Sequence, residues 1–245
     1  MMIIRRKEPI ETIVVTKENK ELWRRCELLE YNVFLEENYI SENSEKRLME
    51  YDKYEHFLIA AFLGDPKKSY ENRTLVGVLR VGSVKRKVEA DTGLFSTLDA
   101  QDQIEFYPDM LKTVLDIQPQ SVLDLAAMAI LKEHRCSRIS RALIAGFITS
   151  ALGMVLSRKR DQPQTPQPRY ILAAADERVY DRFINRSFPM MGKLPIEGLG
   201  KPTMYWGSVT VPIMLDANAA ISPKLHRVLY MLNSCILAFY RRGIL

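Results

Sequence analysis

The chain has 245 residues, of which 47% are hydrophobic and 27% charged, and this composition indicates one folded α/β domain rather than a disordered chain. The formal net charge of +5 favours an acidic partner: nucleic acid, anionic lipid, a phosphate-bearing cofactor or an acidic carrier protein. No run approaches the roughly 18 apolar residues that a membrane span needs, and no basic recognition helix or zinc-finger spacing indicates nucleic acid binding.

Cysteine usage and the N-terminus indicate where the protein works. Cys26, Cys136 and Cys235 lie far apart and share no metal-ligand spacing with each other or with the histidines. Disulfides, structural zinc and other metal centres are therefore not expected. The N-terminus has basic residues after the apolar ones and no small-residue cleavage site, which is the wrong order for a secretory signal. We therefore expect a cytoplasmic protein.

Hydrophobic periodicity predicts the elements in the first half of the chain. Alternating β-branched residues predict a short strand at residues 10–16, and apolar residues at helical spacing predict a helix within residues 17–39. Residues 56–63 and 75–81 are typical of an antiparallel hairpin with a long loop. One or two helices are expected within residues 92–116.

In the second half, a buried strand is followed by a basic turn and a long helix. Residues 121–130 form a nearly continuous apolar run with one acid, Asp124, as in a central strand that is buried on both faces. Ser137 is a plausible N-cap for a helix of about 20 residues. A buried strand at residues 170–175, a short helix and the last strands within residues 205–215 follow.

The C-terminal segment is expected to be an addition to the main domain. We predict a domain at residues 1–222, followed by an amphipathic helix at residues 223–245 that packs on the same domain. Its apolar residues recur at helical spacing, and arginines near its end complement the helix dipole. The apolar face also fits three other roles: covering an acyl tunnel, forming a dimer or contacting a membrane surface. The oligomeric state stays open.

Local motifs within this order of elements resemble one known group of enzymes. Residues 30–40 (EYNVFLEENYI) resemble the first-helix segment of the long-chain N-acyl amino acid synthases, with Asn38 where those enzymes have glycine. Residues 76–81 (VGVLRV) are similar to their Val-Gly-Thr strand, and residues 122–130 (VLDLAAMAI) are similar to their central strand. Residues 176–192 resemble the helix and Gly-Phe turn that follow. The acyl-homoserine-lactone (autoinducer) synthases resemble the chain in the same way.

This resemblance implies a fold and an activity. The fold is the α/β acyl-CoA N-acyltransferase-like (GNAT) fold, a mixed central sheet flanked by helices, here with an appended C-terminal helix. The activity is transfer of a fatty acyl group from acyl carrier protein, or from acyl-CoA, to the amine of an amino acid or related small molecule. The donor is then an acyl-phosphopantetheine, and no covalently bound cofactor is expected. Two alternatives stay open: an acetyl-CoA-dependent N-acetyltransferase, and a catalytically inactive GNAT-fold module that binds a partner.

The turn after the central strand differs from that of CoA-binding GNAT enzymes. Their glycines let backbone N–H groups approach the pyrophosphate at a helix N-terminus, whereas residues 135–140 (RCSRIS) contain no glycine. This difference favours acyl carrier protein as the partner, bound through basic side chains. The candidate donor-binding residues of this turn are Arg135, Arg138, Ser140 and Arg141.

The resemblance also implies which side chains carry the reaction. Asp124 takes the place of a glutamate that binds or deprotonates the substrate amine, while a structural ion pair with Arg80 is the competing interpretation. Arg80 is otherwise a candidate for binding the donor or substrate. Tyr180 is a candidate general acid, and core packing is its competing role. Glu55 resembles one of the paired acids that precede the second strand of autoinducer synthases, and a solvated turn explains it equally well.

Backbone groups are expected to hold the thioester carbonyl. In the GNAT frame, N–H groups of the splayed central strand do this through an oxyanion-type contribution, here at Met128, Ala129 and Ile130. Phe34, in the first-helix segment, is the remaining candidate for donor or substrate binding. His56 has no partner at catalytic spacing along the sequence, so a structural role is expected.

Overall fold

The computed structural model describes residues 8–52, 55–83, 122–135, 137–161, 170–181, 192–193, 203–205 and 208–216. These residues form a mixed sheet with a helix on each face. The helices expected within residues 92–116 and 223–245, and the domain boundary at residue 222, lie outside the described residues. None of the helices in the described part is long and apolar enough to cross a membrane.

The sheet has eight strands within the described residues, in the order β1-β2-β3-β4-β5-β8-β6, with β7 paired to β8. The pairs are antiparallel except for the parallel pair of β4 and β5. The strand bounds are β1 Ile10–Val15, β2 Glu55–Leu63, β3 Thr74–Ser83, β4 Val122–Ile130, β5 Tyr170–Asp176, β6 Gly192–Lys193, β7 Thr203–Tyr205 and β8 Ser208–Asp216.

Two long helices and several short turns complete the described structure. Helix α1 spans Lys20–Glu36, helix α2 spans Ser137–Asp161 and α3 is a single turn at Glu177–Val179. Short 3-10 turns occur at Met49–Tyr51, Tyr70–Asn72 and Lys132–His134. The strands and long helices predicted within the described residues are confirmed, although α2 is longer than expected at 25 residues. Of the short helix predicted after β5, the described residues include the turn α3.

The end of α1 explains why Asn38 stands where the similar synthases have glycine. Asn38 has φ of +59°, a left-handed conformation that glycine and asparagine adopt most readily. Its N–H donates to the carbonyl of Leu35 at 3.0 Å, and the N–H of Tyr39 donates to the carbonyl of Phe34 at 2.9 Å. These two bonds form a Schellman cap, so the chain leaves α1 sharply after Glu37.

The two faces of the sheet carry separate cores. Helix α1 covers one face, here called the α1 face, where Trp23, Cys26 and Phe34 pack in one cluster with Leu58, Ala60, Val78 and Ala129. Helix α2 covers the opposite face, the α2 face, where Ile139, Leu143 and Phe147 pack in one cluster with Ile59, Leu79, Val81 and Leu123. Side chains therefore alternate between the two cores along each central strand.

Candidate active site

Strands β4 and β5 stop pairing halfway along their length. Their parallel register runs from Val122 opposite Tyr170 to Leu125 opposite Ala173 and goes no further. Beyond that point, among the strands that the structure describes, β4 pairs only with β3, and β5 pairs only with β8. The second halves of the two strands therefore border an opening in the middle of the sheet.

The register of β3 and β4 determines which backbone groups point into this opening. Leu131 comes directly after β4, and its N–H donates to the carbonyl of Val76 on β3 at 3.1 Å. The backbone groups of Leu131 therefore point toward β3. Since bonding alternates along an antiparallel ladder, Ala129 also faces β3, while Met128 and Ile130 turn their backbone groups away from it. Of the three residues predicted to hold a carbonyl, Met128 and Ile130 thus direct their backbone groups toward the opening, while Ala129 bonds to β3; the carbonyl-binding role itself stays a prediction.

A β-bulge lies where the opening begins. Arg80 pairs with Ala127 and Val81 with Leu125, so Ala126 is an extra residue on β4. The hydroxyl of Tyr51 donates to the carbonyl of Ala126 at 3.4 Å. Bulges bend a strand and redirect its side chains, and this one puts both Ala126 and Ala127 on the α1 face.

Asp124 is buried on the α1 face, on the part of β4 that still pairs with β5. Its exposed fraction is only 1%, and its register partner on β3 is Gly82. A Cβ atom at Gly82 would lie 3.5 Å from Cβ and 3.9 Å from Oδ2 of Asp124, so the carboxylate leans toward the bare glycine. The alternation of β3 places Gly82 on the same face as Arg80.

Arg80 forms a buried ion pair with Glu30 of α1. Its Nε donates to Oε1 and Oε2 of Glu30 at 3.0 and 3.1 Å, and its Nη2 donates to Oε2 as well. The rings of Tyr51 and Trp23 lie 4.8 and 6.0 Å from the guanidinium carbon. Burial alone would lower the pKa of Arg80, but the charge and hydrogen bonds of Glu30 outweigh it and raise the pKa.

Comparisons with known proteins agree with this geometry. No protein-family model matches the sequence, and a search of curated proteins finds no significant match. A solved structure of FeeM, an N-acyl amino acid synthase from uncultured soil microbes, matches with a TM-score of 0.52 at 9% identity, over 90% of this chain and 98% of that one. The CoA-dependent acyl-homoserine lactone synthase BjaI, solved with SAM and isopentyl-CoA, matches with a TM-score of 0.52 at 13% identity, over 91% of this chain and 88% of that one.

This chain has the GNAT fold. The predicted fold class is therefore confirmed within the described residues. The opening between β4 and β5 is the splayed centre that the GNAT resemblance implied, and it lies on the strand that carries Asp124.

The structure gives the surroundings of several predicted side chains. Arg80, a candidate for donor or substrate binding, is buried and pairs with Glu30, and its role in binding stays a prediction. Glu30 occupies Nε and Nη2 of Arg80, and an additional pairing of Arg80 with Asp124 stays a prediction. Phe34 is 5% exposed and packs edge-on against Tyr39, with ring centroids 5.7 Å apart.

The structure locates Tyr180 by its core and Glu55 by its strand pairing. Tyr180 is 6% exposed and belongs to the core of the α2 face, whereas Asp124 lies on the α1 face. Glu55 is the first residue of β2 and pairs with Ser83, the last residue of β3. A role for either residue in catalysis stays a prediction.

The basic turn after β4 is partly occupied by contacts within the domain. Arg135 pairs through Nη1 with Glu37 and through Nη2 with Glu36 at 3.8 Å. Its Nε also donates to the carbonyl of Ile130 at 3.1 Å, which fixes the turn at the edge of the opening. Arg135 therefore ties the end of β4 to the end of α1.

The first turn of α2 carries the other candidate donor-binding residues. Arg138 donates from Nη2 to the carbonyl of Glu8, so it also contacts the domain itself. Ser140 is half-buried, and Arg141 is exposed to solvent. Arg141 is thus the predicted donor-binding arginine that keeps its charge at the surface.

Register places two residues beside Asp124 that were not expected at the site. His56 of β2 pairs with Gly82, and Gly82 pairs with Asp124, so the three residues form a row across the sheet. His56 is 9% exposed, and its ring centroid lies 5.1 Å from that of Trp23 on α1. The sequence holds one signal for this row, because a glycine inside a strand often marks a close approach.

Helix α1 also carries the buried thiol of Cys26, which the charges of Glu30 and Arg80 influence. Burial raises its pKa to about 12, with the carboxylate of Glu30 adding to the effect. At neutral pH the group is a thiol and not a thiolate. A buried thiol of this kind is a poor nucleophile.

Proposed function

We propose that this protein is an N-acyltransferase that moves a fatty acyl group from acyl carrier protein, or from acyl-CoA, to the amine of an amino acid or related small molecule. One observation carries the proposal. Met128 and Ile130 turn backbone N–H groups into the opening between β4 and β5, on the same strand that buries Asp124. FeeM and BjaI, whose fold this chain shares, are synthases of N-acyl products.

The opening supplies an oxyanion site for a thioester. A phosphopantetheine arm lying between β4 and β5 would present its carbonyl oxygen to the N–H groups of Met128 and Ile130. Those groups belong to a paired strand, so they need no reorganisation when negative charge develops on the oxygen. Removal of one such donor in other enzymes costs about 10²- to 10³-fold in turnover.

Asp124 is placed to take a proton from the acceptor ammonium. Its partner Gly82 and the partner of Met128, Leu79, are three residues apart on β3, which corresponds to about 10 Å along the strand. The side chain of Asp124 and the bound amine would cover part of this distance, and bound waters would bridge the rest. The amine nitrogen then attacks the carbonyl carbon, the C–S bond breaks and the leaving sulfur takes up a proton.

A dedicated acid for the leaving thiol is not essential to this mechanism. An alkyl thiol has a pKa of about 8.5, so the thiolate takes up a proton from water or from the acceptor at neutral pH. Tyr180 remains the predicted general acid, although its place in the core of the α2 face favours packing. A Tyr180→Phe variant that keeps full turnover would assign the residue to packing.

The product test uses both donor types. Purified protein is incubated with palmitoyl-acyl carrier protein or palmitoyl-CoA and a mixture of L-amino acids, and the products are analysed by mass spectrometry. We expect an N-acyl amino acid, and the same product in lipids extracted from cells that overproduce the protein. If neither donor yields an acylated amine and acetyl-CoA does, the acetyltransferase alternative replaces this proposal. If no donor reacts, the binding-module alternative replaces it.

The choice of donor can be tested through Arg141. A carrier protein docks through its acidic surface, so the Arg141→Glu variant should raise KM for the carrier several-fold and leave KM for acyl-CoA nearly unchanged. The wild type should also lose its preference for the carrier as salt shortens the Debye length below about 8 Å. Lys67→Glu, on the exposed loop between β2 and β3, is the matched control. Equal effects on both donors would rule out the carrier-docking role.

A further inference from the structure

We propose that His56 and Asp124 form a proton relay across Gly82, which carries the proton of the acceptor ammonium from the buried site toward solvent. The inference rests on the proposed acyl transfer. His56 does not touch the reacting atoms in this scheme, and it acts through Asp124 as a positioning and relay residue.

The sheet register places the two side chains on one face with a gap between them. His56, Gly82 and Asp124 are consecutive partners across β2, β3 and β4. His56 stacks on Trp23 of α1, and Gly82 shares the face of Arg80, which binds Glu30 of α1. Adjacent strands lie about 4.8 Å apart, so the Cα atoms of His56 and Asp124 are about 10 Å apart. One water between the side chains fits this spacing.

Gly82 differs from the other glycines that lie between a strand and a helix. A Cβ atom at Gly77 would lie 3.2 Å from both Ile139 and Leu143, and one at Gly146 would lie 2.6 Å from Thr12. Those two glycines let α2 approach the sheet. At Gly82 the three nearest atoms all belong to Asp124, at 3.5 to 3.9 Å, so at least one heavy atom fits there. Packing against a helix therefore does not explain the glycine.

The stoichiometry of the acyl transfer requires that one proton leaves the site. A primary ammonium carries three protons on nitrogen; the amide keeps one, the thiol takes one and one must leave the site. Asp124 accepts that proton first, but a carboxyl group that is 1% exposed cannot pass it directly to bulk water. In the relay Asp124 passes the proton to the water over Gly82, and that water passes one of its own to His56. His56, at 9% exposure, releases it to solvent.

Both acidic and basic groups surround His56. Its charge influences Asp52, whose pKa is lowered mainly by its hydrogen bond to Arg47 and to a lesser degree by His56. The other charged or titratable groups that the described elements place around the row are Lys17 before α1, Glu30 on α1, Tyr51 in the 3-10 turn, Glu55 on β2, Arg80 on β3 and Asp124 on β4. Glu30 and Arg80 neutralise each other, and Asp124 is the acid that belongs to the row itself.

The first test is the pH dependence of turnover with palmitoyl thioester and L-amino acids as probes. In the wild type a protonated His56 blocks the relay, so kcat should fall as the pH drops through the range in which His56 takes up a proton. The His56→Gln variant should lose about 10-fold or more in kcat and should also lose this acid limb. His134→Gln, on the turn after β4, is the matched control and should keep the wild-type profile. Identical profiles for both variants would refute the relay.

A second variant separates the relay from a packing role of His56. Gly82→Ala places a methyl group where ordinary contacts allow it, so the fold should be retained or slightly stabilised while the water is displaced. Its kcat should fall by a factor similar to that of His56→Gln, with KM for the donor unchanged. Because both changes interrupt one path, the double variant should be no slower than the slower single variant. Multiplied losses would overturn the proposal.

The third test does not need activity. The chain has three histidines, so the imidazole signal of His56 can be assigned by NMR through the His56→Gln variant. Asp124→Asn removes a negative charge from the row and should lower the pH midpoint of the His56 titration, while the signal of His134 stays unchanged. An unchanged His56 midpoint refutes the relay even if the wild type proves inactive. A shifted midpoint in an inactive protein would leave the coupling intact and remove the proposed function alone.

Discussion

The two faces of the sheet bury different chemistry. The buried polar and charged residues of the described chain, Glu30, His56, Arg73, Arg80 and Asp124, all lie on or beside the α1 face. The core of the α2 face consists of apolar side chains and Tyr180. Burying a charged side chain is costly unless the charge is paired. A sheet face that buries several polar or charged residues therefore has a role beyond packing.

Within the α1 face, two carboxylates with the same exposure of 1% have different surroundings. Glu30 is held by the guanidinium of Arg80, and this pair joins α1 to β3. Asp124 lies against Gly82, at the start of the opening between β4 and β5. We therefore assign Glu30 to the scaffold and Asp124 to the reaction, and the following predictions test this division.

The largest expected effect is on stability, from breaking the buried ion pair. Arg80→Met leaves the carboxylate of Glu30 buried without its partner, which should cost about 3–5 kcal/mol in the free energy of unfolding. Denaturant titration at several pH values measures this. The deficit relative to the wild type should shrink as the pH falls, because Glu30 of the variant can then be protonated.

The control for this prediction removes both charges. Glu30→Gln combined with Arg80→Met leaves no unpaired charge, so it should recover much of the lost stability. If the double variant is as unstable as Arg80→Met, the loss comes from packing against Tyr51 and Trp23 and not from the buried charge.

The next effect is on catalysis. Asp124→Asn keeps the shape of the side chain and removes the proton acceptor, so turnover should fall by about 10²-fold or more while the unfolding transition stays close to that of the wild type. Steady-state kinetics and thermal unfolding of the same preparation measure both quantities. Unchanged turnover would move Asp124 to the scaffold and remove the contrast with Glu30.

The fold could be predicted from the sequence because each central element has a local signal. The apolar run of β4, the basic turn and the periodicity of α2 follow directly from side-chain order, and these elements are confirmed. Asn38 was expected where the similar synthases have glycine, and its left-handed φ explains the match. The buried position of Asp124 was also expected from its place in an apolar strand.

The site could be predicted only in part, because its partners are distant along the chain. Glu30 lies 50 residues from Arg80, and only the packing of α1 on β3 brings them together. His56 lies in one row with Gly82 and Asp124 because of the register of β2, β3 and β4. No local sequence pattern encodes that register. The orientation of Ala129 likewise depends on which β4 residues bond to β3, and the sequence alone does not show that its N–H faces β3.

The smallest expected effect completes the contrast between the faces. A Cβ atom at Gly146 of α2 would lie 2.6 Å from Oγ1 and 2.9 Å from Cβ of Thr12 on β1, and 3.1 Å from Cγ2 of Ile59 on β2. Gly146→Ala should therefore lower the unfolding free energy by about 1–2 kcal/mol, since overpacking exceeds the gain of about 1 kcal/mol in helix propensity. Turnover should not change, because α2 packs there on the outer strands and away from Asp124. Adding Thr12→Ala removes the clash and should return the stability to the wild-type value or above it.

Gly82→Ala on the α1 face is expected to do the reverse, with activity lost and stability kept. If Gly146→Ala lowers turnover in the folded protein as much as Gly82→Ala does, the two faces are not functionally distinct.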